Sequence, residues 1–114
     1  MEIMQRVVQN SILKWLNKGK VLVVTGARQV GKTTMLKNMF ANVQNDVLWL
    51  NADETRVRNR LSELDVANLS NVIGKYKIVI IDEVQRVANA GLLLKILVDN
   101  FKDVQFIATG SSAL

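Results

Sequence analysis

Apolar residues recur along this chain in two rhythms, one at helical spacing and one in short unbroken runs. Met4, Val8, Ile12, Trp15 and Leu16 return at helical intervals, with Gln5, Arg6, Gln9, Asn10 and Lys14 filling the other side. They predict a leading helix over 1–19, stopped by Gly19 at a left-handed cap. Its stripe would pack on a sheet or sheet edge, or dock a partner. Four short runs read as strands: 21–25, 47–50, 77–81 and 104–108. The first is apolar on both faces, as a covered parallel strand is. Helical stripes lie between them: Met35, Leu36, Met39, Phe40; then Val57, Leu61, Leu64; then Val66, Leu69, Ile73; then Leu92, Leu93, Ile96, Leu97. Asp65 is the expected cap between the middle two, Gly74 the expected stop, and Gly91 and Asn100 flank the last. Residues 41–46 read as a polar connection and 85–89 as a loop or short turn. Strands alternating with helices predict an α/β chain, a parallel sheet with helices on both faces.

Between the first strand and its following stripe stands Gly26-Ala27-Arg28-Gln29-Val30-Gly31-Lys32-Thr33, which fits G-x-x-x-x-G-K-[ST]. Strand, glycine loop and helix are the setting this phosphate-binding loop, or Walker A motif, requires. A triphosphate needs several donors converging on one concavity. Gly26 and Gly31 let the backbone turn its N–H groups inward. The helix beginning near Lys32 adds the positive end of its dipole. The expected binding set is Gly26, Ala27, Arg28, Gln29, Val30, Gly31, Lys32, Thr33 and Thr34. Lys32 would reach the β- and γ-phosphates and act in catalysis, and the Thr33 hydroxyl would ligate Mg²⁺.

The third run, Ile78-Val79-Ile80-Ile81, ends in Asp82-Glu83 and reads as a Walker B strand. Packing gives no reason for acids at a strand end, and α/β sheets gather ligands at the carboxyl ends of strands. Asp82 would hold Mg²⁺, and Glu83 would act as general base on the attacking water. The plainer alternative is a strand ending on a helix-capping acid. The fourth run ends in Thr109-Gly110-Ser111-Ser112, and Thr109 and Ser111 are candidates to sense the γ-phosphate or hold the water. A simple turn would use the same residues. Asp53 and Glu54 could bind a metal but read more simply as a helix-capping loop, with Thr55 a second candidate cap. Arg56, Arg58 and Arg60 read as a solvated face, or as contacts to DNA or a neighbouring subunit.

Composition narrows the chemistry further. The chain has no histidine, which excludes histidine bases and ligands. It has no cysteine, which excludes disulfides and thiolates and fits a cytoplasmic protein. The 114 residues are 49% hydrophobic, enough for one modest core. A net charge of +5 admits a nucleic-acid partner, although the positive charges are scattered and few aromatics lie among them. No apolar run approaches a membrane span, and residues 1–18 lack a signal-peptide core.

Three segments together resemble the bacterial and archaeal AAA-type ATPases that carry an uncharacterised C-terminal domain. They are residues 23–34, Ile80-Ile81-Asp82-Glu83-Val84-Gln85, and Ile107-Ala108-Thr109-Gly110-Ser111-Ser112. The resemblance runs along nearly the whole chain. It implies a three-layer P-loop NTPase fold with an added strand and strand order 5-1-4-3-2. It implies Lys32 and Thr33 at phosphate and Mg²⁺, Asp82 at Mg²⁺, Glu83 as catalytic base, and Thr109 or Ser111 as sensor. ATP, rather than another nucleotide, is implied by the same resemblance.

The family continues past this point with a fifth strand and a helical lid. Residues 1–114 are therefore expected to be the N-terminal part of an ATPase domain, a leading helix at 1–19 and a nucleotide-binding core at 20–114. Without the fifth strand the first would lie at a sheet edge, so self-association is expected. Three functions follow: ATP hydrolysis driving an attached domain or partner, a nucleotide-dependent switch that docks protein or DNA with negligible turnover, and a small-molecule kinase. The acidic pair Asp82-Glu83 argues against the last, since an acceptor other than water has no need of a water-activating glutamate.

Overall fold

The computed structural model describes residues 21–25 and 30–110, with the backbone alone at 22, 25 and 30–33. The expected leading helix over 1–19 and the sensor candidate Ser111 lie outside the described residues. Four strands, β1 (Leu22–Thr25), β2 (Val47–Asn51), β3 (Ile78–Asp82) and β4 (Gln105–Gly110), form one sheet in the order β1-β4-β3-β2. Every neighbouring pair is parallel. This order matches the 1-4-3-2 portion of the expected 5-1-4-3-2.

Alternating side chains of the central strands feed two separate cores, which is why helices cover both faces. Val24, Ile80 and Ile107 pack with Met35, Leu36 and Phe40, from helix α1 (Val30–Met39) and the turn after it. Val79, Ile81, Phe106 and Ala108 point the other way. They meet Val57 and Leu61 of α2 (Thr55–Ser62), Leu69, Val72 and Ile73 of α3 (Val66–Ile73), and Leu93, Leu94 and Leu97 of α4 (Ala90–Asn100). Burying each of these large side chains contributes about 1.5–3 kcal/mol. β4 is buried at all six positions, because it lies between β1 and β3 with a core on either side.

The helical stripes sit slightly differently from their sequence pattern. Val66 is 44% exposed and Leu92 51% exposed, while Val72 and Leu94 are in the core. Val66 opens α3 directly after its cap, so its side chain leaves on the outer side of the first turn. In α4 the buried stripe is 93, 94 and 97, rotated one position from the expected one. Leu64 lies past the end of α2, in the connection, and packs on the core from there. Asp65 does cap α3, its Oδ1 accepting the Ala67 N–H at 2.8 Å. Gly74 ends it at φ +58°, ψ −128°, a conformation open essentially to glycine alone. Residues 41–46, expected as a plain connection, form a 3-10 turn.

Candidate functional site

A parallel sheet delivers the carboxyl ends of its strands to one rim. Here β1 ends at Thr25, β4 at Gly110, β3 at Asp82 and β2 at Asn51. Their register is level: Val24 pairs with Thr109, Thr25 with Gly110 and Asn51 with Asp82. β1 therefore ends at the rim where Asp82 and Glu83 emerge from β3. One strand, β4, separates β1 from β3, so their ends lie about 10 Å apart, two strand spacings.

Gly26, Ala27, Arg28 and Gln29 lie outside the described residues. The backbone of Val30, Gly31, Lys32 and Thr33 forms the first turn of α1, and Thr34 is exposed just beyond. The N–H groups of such a first turn have no partners inside the helix and present the positive end of its dipole.

The acids on the opposite side of β4 are built in detail. Thr109 was expected at the tip of its strand; it stands inside β4 and is fully buried. Its Oγ1 donates a hydrogen bond to Asp82 Oδ1. The same oxygen accepts the backbone N–H of Glu83 at 3.0 Å. One hydroxyl thus fixes both the side chain of the first acid and the backbone of the second. Asp82 is further fixed by its carbonyl, which accepts the Ala52 N–H at 2.9 Å.

Glu83 is 6% exposed and takes φ +57°, ψ +47°, the left-handed region that non-glycine residues rarely occupy. That conformation costs roughly 1–3 kcal/mol and tends to occur at functional sites. It turns the chain sharply out of β3 into a single 3-10 turn, Val84–Arg86, closed by the Arg86 N–H on the Glu83 carbonyl at 3.0 Å. The turn brings Gln85 back over Glu83, where its Nε2 donates to Glu83 Oε1 at 2.8 Å.

A second tier fastens this turn to the loop after β2. Arg86 Nε pairs with Asp53 Oδ1 at 2.8 Å. Arg58 Nη1 donates to the carbonyls of Ala52 and Asp53, each at 2.8 Å. Asn51 Oδ1 accepts the Asp53 N–H at 3.0 Å. Arg58 is therefore not part of a solvated face: it ties the loop that precedes its own helix. Glu54 stands at the N-cap of α2 without a side-chain cap bond, and Thr55 is already helical, its hydroxyl taken by Arg58 at 3.0 Å. Neither residue caps through its side chain. Asp53 is engaged within the loop, its Oδ1 on Arg86 and its N–H on Asn51.

The sequence brings Asp82, Glu83 and Thr109 forward, gives Gln85 and Arg86 no role, and places Arg58 only among three arginines on a solvated or partner-facing side. Only the position of Gln85, two residues past an acid pair, could have drawn notice. The resulting rim has a half-buried carboxylate, a hard oxygen donor of the kind Mg²⁺ takes. Beside it is a buried, oriented carboxylate, and the pair suits the rim to a metal-bound phosphate group.

A family model described as an AAA domain matches residues 18–114. No curated protein matches the chain. Among solved structures, a chain from the structure of Drosophila ORC bound to DNA is similar, with a TM-score of 0.65 and 14% sequence identity. The match covers 96% of this chain and 77% of that one, and at this identity it speaks for the fold. The family match takes in the segment at 26–33, the acids at 82–83 and Thr109 together, so this chain belongs to the AAA domain family of nucleotide-binding, ATPase-type proteins.

Proposed function

We propose that the protein binds Mg-ATP at this rim and hydrolyses it to drive a conformational change in an attached domain or partner. The observation that carries the reading is the Thr109 bridge, which holds Asp82 and Glu83 as one unit on the rim where β1 ends. In this reading the amides of 26–31 with Lys32 hold the phosphates, and Thr33 and Asp82 hold Mg²⁺. Bound Mg²⁺ would supply charge neutralisation at the phosphates. Glu83, fixed in backbone and side chain, takes the proton of the attacking water. Thr109 and Ser111 remain the sensor candidates.

Titration of labelled ATP with Mg²⁺ tests the binding half. Lys32→Ala should lose at least several-fold in affinity. Phosphate release tests the chemistry: Glu83→Gln should fall by about 100-fold or more while still binding ATP.

A switch that docks protein or DNA with negligible turnover is the second reading. It is favoured by Arg56 and Arg60, which with Trp49 line a pocket between β2 and α2. Neither arginine forms an ion pair among the described residues. Equal, near-zero phosphate release by wild type and Glu83→Gln, with ATP affinity intact, would decide for the switch. Among the described residues no helix is long and apolar enough to cross a membrane, and a cytoplasmic location accords with this reading.

A further inference from the structure

Building on the hydrolysis reading, we propose that Gln85 is a positioning residue, whose side-chain amide aims the carboxylate of Glu83 at the attacking water. The inference rests on how differently the two ends of Glu83 are held. Its backbone is fixed on both sides, by Thr109 on the N–H and by the Arg86 N–H on the carbonyl. Its side chain is long, and glutamate has much rotamer freedom to lose. Within the half-buried turn that follows, Gln85 Nε2 grips Oε1 at 2.8 Å. A donor on one oxygen sets the plane of the carboxylate and therefore the direction in which the second oxygen can accept a proton. The left-handed backbone at Glu83 makes this grip possible, because it folds the chain back within two residues. Gln85 is itself held against displacement, since the next residue, Arg86, is tied to Asp53 at 2.8 Å. Gln85 touches neither phosphate nor water in this scheme; it acts through Glu83.

The test compares wild type with Gln85→Ala, Gln85→Glu, Glu83→Gln and the Glu83→Gln/Gln85→Ala double variant in the full-length protein. Single-turnover phosphate release with Mg-ATP and nucleotide affinity are both measured. Gln85→Ala should lower the rate about tenfold or more, within the 10²–10⁴ that a general base contributes, and leave affinity within about twofold of wild type. Gln85→Glu keeps the shape, removes the donor and sets a second carboxylate against Oε1, so it should be at least as slow. The double variant should match Glu83→Gln within about twofold, because there is no longer a base to aim. A Gln85→Ala variant as fast as wild type or faster, a Gln85→Glu variant at wild-type rate, or a further tenfold loss in the double variant would overturn the inference. Should Glu83→Gln itself turn over normally, the general-base reading fails and this inference with it. A slow Glu83→Gln beside a normal Gln85→Ala overturns this inference alone.

Discussion

Replacing Thr109 by valine changes one hydroxyl for a methyl group of similar size, deep in the sheet. The structure gives that hydroxyl two duties, donating to Asp82 Oδ1 and accepting the Glu83 N–H at 3.0 Å. Thr109 is fully buried, so water cannot take its place beside the Glu83 amide. Leaving that N–H unpaired costs about 1–3 kcal/mol. The lost bond to Asp82 is charge-assisted, but Asp82 is only half-buried and solvent recovers part of it, leaving about 1 kcal/mol. The expected destabilisation is therefore about 2–4 kcal/mol, a large fraction of the roughly 5–15 kcal/mol that holds a domain folded. In urea, with a slope near 2 kcal/mol/M, the midpoint should fall by about 1–2 M at unchanged slope. Thr109→Ser keeps the hydroxyl and loses one methyl, about 1 kcal/mol. Unfolding followed by tryptophan fluorescence and by circular dichroism gives both numbers. A valine variant within about 0.5 kcal/mol of wild type, or a serine variant as unstable as the valine one, would refute the bridging role.

Three further outcomes follow from the same structure. Gly74→Ala should destabilise by about 1–3 kcal/mol, and the whole effect is backbone strain at φ +58°, since nothing lies within 4 Å of the added Cβ; a thermal melt equal to wild type would contradict it. Asp65→Ala should cost about 1 kcal/mol through loss of the α3 cap, and Asp65→Asn should recover most of it in the same denaturation assay. Among the described residues β1 is a terminal strand with Val23 exposed, so mass by light scattering should rise with concentration; a constant monomer mass, with freely exchanging β1 amides, would count against an edge-paired assembly.

Hydrophobic runs located all four strands but stopped each of the last three short of its carboxyl end. The run ends where polar residues begin, yet Asn51, Asp82 and Thr109 remain in the ladder because neighbouring strands pair with them. Polarity at these positions marks the rim where the site forms. The acids Asp82 and Glu83 were legible because an apolar run has no packing use for charge. Their coupling was not, because Thr109 is 26 residues from Glu83 and meets it only once β4 lies beside β3. Arg58 was hidden among three alternating arginines, of which a helix turns only one toward the preceding loop. Leu92 and Leu94 show the limit of periodicity itself. A run of three leucines cannot say where a stripe is centred, and the packing of α4 into the core on its face of the sheet decides it.

The Thr109 bridge also constrains what a sensor at this position can do. A hydroxyl has one proton to donate and two lone pairs to accept with. The proton of Thr109 goes to Asp82, while a lone pair takes the Glu83 N–H. Accepting from Glu83 is compatible with any partner for the proton, so the backbone of Glu83 can stay fixed throughout. Donating to a phosphate oxygen is not compatible with donating to Asp82 at the same moment. A sensing role for Thr109 therefore requires the proton to leave Asp82, freeing an oxygen of that carboxylate in the same motion. Thr109 would then register phosphate and release an oxygen of the acid proposed for Mg²⁺ through one rotation about a single bond, with Glu83 held still by the other side of the same oxygen.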